Sequence, residues 1–293
     1  MKFVGISAAI AVLLSPAIVA SAGPSHQAPQ VGDTYEITMI RETSRQNGSG
    51  SSGTSFDKDT LVERVTAVRA EGLELEYELP KAATKDERGA SWQFPARVFR
   101  PSEGAAQLLN GPELESRIDV WLKKAGWSRT ACGQWIFTWN AFHIECDPKA
   151  VLKAIEPFDF RSVELEDGGP YQIAGARSQG TLARKSVGPN GATFVVELEV
   201  DPDAVRRARA ESDVAVGEMM KKSVTLDTAL NSRAKEAVSG TISTTFDTDQ
   251  SGNAWRRTTV TKLEIRQPDG LSETQTVTET VERRLLPGRV TRR

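Results

Sequence analysis

The chain has 293 residues, enough to bury a full hydrophobic core. Its 37 basic and 39 acidic side chains leave a formal charge of −2. Phosphate binders usually carry a basic excess, so nucleic acid is excluded as the main partner. A hydrophobic fraction of 39% excludes a multispan membrane protein, and two histidines, His26 and His143, exclude a His-rich metal site.

Lys2 precedes an almost wholly apolar run from Phe3 to Val19, and Ala20-Ser21-Ala22 satisfies the small-x-small rule of signal peptidase. Residues 1–22 read as a secretory signal cleaved between Ala22 and Gly23. The run is short for a membrane span, and no later stretch is long enough to cross a bilayer. Cleavage leaves 271 residues, 293 less 22, expected to be soluble in the periplasm or outside the cell. Residues 23–32, with Pro24, His26 and Pro29, read as a flexible leader. Residues 33–287 read as one domain, and 288–293 as a basic tail.

The β signal begins with Tyr35, Ile37 and Met39 alternating with polar residues. The tract QNGSGSSGTS, residues 46–55, predicts a mobile loop tip between two strands. Leu61–Val68 and Leu73–Leu79 follow; in the second, Leu73, Leu75, Tyr77 and Leu79 face one way and Glu74, Glu76 and Glu78 the other. Lys81–Gly89 is expected to be a charged loop. Trp92–Phe99 is expected to be a strand that Pro95 confines to an edge or bulge.

Helices are marked by their ends. Asn110 and Pro112 open one with Leu114, Ile118, Trp121 and Leu122 on a face, and Gly126 closes it. Asp147-Pro148 opens a short one with Val151, Leu152 and Ile155, and Pro157 stops it. Asp201-Pro202 opens a longer one, since Pro at the first position gives up only an N–H that has no helical partner. A fourth is expected over 226–238, although Val224 and Thr225 could equally begin a strand. GPNG predicts the turn of a hairpin from Thr181–Val187 to Thr193–Val200. Thr241–Thr248, Ala254–Ile265 and Leu271–Leu286 form a threonine-rich meander with DQSGN and QPDG turns.

Strands, two helices, strands, two helices and strands do not make the regular alternation of a parallel sheet. The order predicts an α+β fold: a large twisted antiparallel sheet, like an open half-barrel, with about four helices on one face.

An even cysteine count in an exported chain predicts a disulfide between Cys132 and Cys146. An antiparallel pair turning near Trp139 would set Cys132 opposite Cys146, Gln134 opposite Ile144 and Ile136 opposite Phe142. Around it cluster Trp121, Trp127, Trp135, Phe137, Trp139 and Phe142, which hold four of the six tryptophans. These residues are either core under the neighbouring helix or an apolar ligand pocket.

Other candidates are weaker. Strand alternation puts His143 and Cys146 on opposite faces, which defeats a metal or a Cys–His nucleophile reading. Asp247, Asp249 and Ser251, with Gly252, open like a calcium loop, but position twelve is Thr258 where a bidentate Glu is needed. Glu74/Glu76/Glu78, Glu164/Glu166 and Glu197/Glu199 are paired acids for glycoside hydrolysis only if two converge in a cleft. Arg206, Arg207, Arg209, Arg256, Arg257, Arg283 and Arg284 read as ordinary surface. No cofactor and no metal is expected.

The reading this supports is a non-enzymatic exported protein that binds an apolar small molecule or an envelope protein. The alternatives are a carboxylate hydrolase of envelope polysaccharide and a scaffold with no small ligand.

Overall fold

The computed structural model describes residues 29–137, 141–160 and 164–287. The proposed signal, its cleavage point at Ala22 and Gly23, most of the leader, Trp139 and the basic tail lie outside the described residues. The first strands follow one another as β1 (Thr34–Asn47), β2 (Ser52–Arg69) and β3 (Gly72–Glu78). Helix α1 (Lys85–Ala90) precedes β4 (Ala96–Pro101), β5 (Gln107–Leu108) and helix α2 (Gly111–Lys124). A two-stranded ribbon, β6 (Trp135–Phe137) and β7 (Ala141–His143), leads to helix α3 (Ala150–Ile155). A second ribbon, β8 (Pro170–Tyr171) and β9 (Gly180–Thr181), precedes β10 (Ala183–Gly188) and β11 (Gly191–Glu199). Helices α4 (Pro202–Met219) and α5 (Leu226–Arg233) then lead into β12 (Ala237–Thr248), β13 (Ala254–Arg266) and β14 (Ser272–Leu285).

Ten strands form one open antiparallel sheet in the order β10-β11-β12-β13-β14-β1-β2-β3-β4-β5. It consists of two meanders joined where β1 pairs β14, with Ile37 opposite Arg283 and Met39 opposite Val281. Alternation then sorts the side chains. Ile37, Leu61, Val65, Leu75, Tyr77, Val98 and Val281 point inward and meet Leu114, Ile118 and Leu122 of α2 and Val151 and Ile155 of α3. A second core gathers Phe194, Val196, Leu198, Ile242 and Phe246 under Tyr171 and Leu182, with Val205 of α4 packed against it. The other face carries Thr38 and Thr60, whose hydroxyls lie 3.2 Å apart, and the cross-strand pair Thr258 and Thr280. A sheet with one apolar and one polar face accepts helices on the apolar face alone.

The GPNG turn forms as expected between β10 and β11. Gly191 there has φ +130°, and a Cβ would stand 1.9 Å from the Thr248 carbonyl oxygen, so only glycine fits. Helix α4 starts as expected, with Asp201 accepting from the Asp203 N–H at 2.9 Å. The Asn110 side chain caps nothing. It is buried instead, accepting from the Arg97 N–H at 2.9 Å and donating to the Pro95 carbonyl at 3.2 Å, and so ties α2 to β4.

Four local expectations are corrected. The loop expected over residues 46–55 shortens to 48–51: β1 runs to Asn47 and β2 starts at Ser52, and the Asn47 N–H donates to Ser51 O at 2.9 Å. Ladder pairing on both sides of β1 overrides the weak strand propensity of Gly and Ser. The charged loop contains α1, because Thr84 and Glu87 form a reciprocal capping box. Both donors reach the Glu87 carboxylate from Thr84, and they hold it below its ordinary range. The strand expected from Trp92 begins only at Ala96; Trp92 is buried in the core ahead of it, and the Phe94–Pro95 bond is cis. Helix α5 ends at Arg233, and β12 takes over from Ala237.

Candidate functional site

The disulfide joins Cys132 and Cys146, with Cα atoms 5.6 Å apart. The ribbon has the expected register, Ile136 opposite Phe142, and Trp135 opposite His143. Its strands are shorter than expected, but the ladder continues through Ile144 N–H to Gln134 O at 2.9 Å. Alternation puts Trp135 and His143 on one side, where their rings meet edge to face at 5.5 Å. Trp121 and Trp127 also meet edge to face, at 5.6 Å and 75°, and both are half-buried against the first core. The side chains of Phe137 and Phe142 lie outside the described residues, as does Trp139. The described members of the aromatic cluster therefore flank the helix-covered end of the sheet.

A separate groove of about 660 Å³ opens on the inner face between the two cores, over β1, β13 and β14. Pro157, Tyr171 and Ile173 give its walls apolar patches beside Glu156, Glu164, Glu166 and Gln172, and Val277 lies on the floor. Arg41, Arg257, Glu279 and Thr259 give it a polar floor. The Glu279 carboxylate takes Arg41 Nη2 on one oxygen at 2.8 Å and lies 3.6 Å from Arg257 Nη2 through the other. Arg257 also donates to the Pro157 carbonyl at 2.6 Å, which fixes the wall against the floor. Tyr171 packs edge to face on Phe246 at 5.4 Å. Burial pushes its hydroxyl above the ordinary tyrosine value, while a hydrogen bond with Thr244 and the charge of Arg257 pull the other way.

Of the acids predicted as possible catalytic pairs, only Glu164 and Glu166 line the groove. Glu76 and Glu78 both face Arg64, at 3.6 and 2.7 Å, Glu74 pairs with Arg69, and Glu199 pairs with Arg177 at 3.0 Å. Glu164 and Glu166 are exposed, and they share the groove with Glu156 and Glu279. Asp249 of the calcium-like run accepts from the Ser251 and Asn253 N–H groups at 2.8 and 2.9 Å, as a hairpin turn requires, and Asp247 accepts from the Thr193 hydroxyl. No group of three or more His, Cys, Asp or Glu side chains that could hold a metal ion occurs among the described residues.

The predicted arginines do not form one surface. Arg209 and Arg233 converge on Glu236, which is 4% exposed, at 3.1 and 2.6 Å. Arg233 also grips Asp213 through two nitrogens at 2.6 and 2.7 Å, and these bonds hold its pKa above the already high guanidinium range. Arg283 donates to Glu63 at 2.8 Å, and Tyr77 donates to the same carboxylate at 2.9 Å. Sequence reading missed both acids. Glu63 carried a signal, because it shares the inward phase of Leu61 and Val65.

No helix among the described residues is long and apolar enough to cross a membrane. No family model matches the chain, and neither does any curated protein. Among solved structures, the chain is similar to one titled lipid-protein interactions in lipovitellin, with TM-score 0.40 and 10% identity over 88% of this chain and 25% of that one. It thus spans about a quarter of that protein's length. An outer membrane channel of Pseudomonas putida F1 gives TM-score 0.24 at 6% identity, covering 92% of this chain and 100% of that one. Ail, the attachment invasion locus protein of Yersinia pestis, gives TM-score 0.15 at 3% identity, covering 87% and 99%. These similarities assign the chain to no family.

Proposed function

We propose that this is an exported, non-enzymatic binding protein that holds an apolar small molecule, or docks an envelope protein, on the inner face of its sheet. One observation carries the reading: a groove of about 660 Å³ lies between two packed cores and sets apolar patches beside polar and charged groups. That volume is in the range of small-ligand sites, which are typically apolar with a few placed polar groups. The two acidic oxygens of Glu279 are engaged by guanidinium groups, so this carboxylate serves as an ion-pair acceptor on the floor. Export rests on the composition of residues 1–22, with cleavage after Ala22, and a disulfide agrees with an oxidising compartment. The aromatic cluster around Trp121 and Trp127 is the competing location for the ligand.

Native mass spectrometry of the protein recovered from the exported fraction, before and after organic extraction, tests the reading. A stoichiometric added mass that leaves with the solvent is expected. Val277→Trp, which fills the groove, should abolish it, while Trp121→Ala should not. Retention in Val277→Trp with loss in Trp121→Ala would move the ligand to the aromatic cluster. A clean mass, with no saturable uptake of a fluorescent fatty-acid probe, would overturn apolar-ligand binding.

A further inference from the structure

We infer that a second cleft, at the end of the sheet where β1 begins and β14 finishes, is a binding site for a neutral saccharide. It encloses about 540 Å³ and is lined by Asp33 and Tyr35, by Asp249 and Asn253 of the β12–β13 turn, and by Trp255 and Arg283.

The aromatic part comes first. Trp255 is 41% exposed, although it is the kind of side chain that gains most from being covered. Trp255 is the residue passed over where the β12–β13 register shifts, between Ala254 opposite Thr248 and Arg256 opposite Asp247, and it lines the cleft at the rim of the sheet. Tyr35 is held rigid nearby, because the Arg283 guanidinium lies 3.3 Å over its ring.

Charge then narrows the ligand. Arg283 is nine-tenths buried and committed to Glu63 at 2.8 Å, and Arg284 is committed to Glu36 at 2.7 Å. Both guanidiniums are thus already paired with carboxylates, and an added phosphate or carboxylate would also face Asp33 and Asp249. Those two carboxylates are fixed by the backbone: Asp33 accepts from the Gln30 N–H at 2.9 Å, and Asp249 from Ser251 and Asn253. A carboxylate has about four acceptor positions, so both keep capacity for hydroxyl donors. The Asn253 amide donates to Asp249 at 3.5 Å and keeps a second N–H and its oxygen at the same turn. An exposed indole beside pre-positioned acceptors suits a pyranose ring, which presents C–H groups on its face and hydroxyls at its edge. A compact ammonium would use the acids and the indole but would leave most of the volume empty.

The test follows the indole signals of the full chain by NMR, with Trp255 assigned through Trp255→Phe. Maltotriose, chitotriose and xylotriose are each titrated to millimolar concentrations, with tetramethylammonium as the cationic comparison. At least one trisaccharide is expected to shift the Trp255 signal saturably and leave Trp121 and Trp127 unmoved. Trp255→Ala should weaken that binding about tenfold, the loss of one stacked ring, and Trp255→Phe by less. Asn253→Ala should weaken it as well, with the unfolding midpoints of the Trp255 variants near that of the parent because the ring is exposed. The inference is overturned if no trisaccharide moves the Trp255 signal, if tetramethylammonium alone moves it, or if binding survives Trp255→Ala unchanged.

Discussion

Glu236 lies where two helices meet the sheet, with Arg233 on one carboxylate oxygen at 2.6 Å and Arg209 on the other at 3.1 Å. Arg209 continues to Glu273 of β14 at 2.9 Å, so the acid links α4, α5 and the sheet through charge rather than apolar packing. Removing one partner of a buried ion network leaves the others uncompensated. Glu236→Ala is expected to lower unfolding stability by about 3 kcal/mol in urea titration. Glu236→Gln should cost less, and truncating Glu211, whose pair with Arg207 is exposed, should cost little. Tyr171 is expected to contribute to the loss of stability at alkaline pH. Its raised pKa means that the folded state favours the neutral phenol. The resulting stability is fully present below the unfolded value, about 10, and is lost as pH rises through the folded value. Urea titrations across this range should show a steeper fall for the parent than for Tyr171→Phe. Equal slopes would assign the fall to other groups.

At the scale of elements, α2 and the disulfide ribbon share the first core. The helix buries Leu114, Ile118 and Leu122 there, and Cys132, Ile136 and Cys146 of the ribbon region pack against the same core, as do Trp121 and Trp127. The ribbon has only three residues per strand, too little for independent stability. Its closure therefore depends on the Cys132–Cys146 bond, which spans 14 residues. The double variant Cys132→Ser/Cys146→Ser is expected to lose about 3 kcal/mol by the chain-entropy estimate. Amide exchange should then rise first between residues 132 and 146. Unchanged exchange there would show that packing on the first core, not the crosslink, holds the ribbon. The ribbon was legible in advance, since the cysteine spacing and the strand alternation both fix Ile136 opposite Phe142. Helix α1 was equally present in the sequence as Thr84-x-x-Glu87, but its exposed positions show no apolar period to draw attention to it.

Across the whole molecule, β1 and β14 are the seam between the two meanders, and charge crosses it repeatedly. Arg41 reaches Glu279 and Arg283 reaches Glu63, pairs separated by 238 and 220 residues in the chain. Ile37, fully buried, lies between Arg283 of β14 and Leu61 of β2. We propose on this basis that residues 33–287 act as one cooperative domain. Calorimetry is expected to give a single transition that Ile37→Ala shifts as a whole, at a cost of about 3 kcal/mol. Two transitions, with only one moved by the substitution, would mean that each meander unfolds alone.

The sequence by itself determined the features whose causes are local. Strand alternation sorted Leu75 and Tyr77 inward from Glu74, Glu76 and Glu78. Gly191 placed the turn, and Asp201-Pro202 started α4. Each of these acts over a few residues, through backbone sterics, capping or side-chain period. Tertiary structure alone decided that β1 pairs with β14, that Glu236 collects two arginines, and that a groove opens between the cores over Thr259 and Glu279. Partner strands are selected by complementarity over their whole length once distant segments meet. Polar residues on an inward face are distinguished from surface residues only by what folds over them.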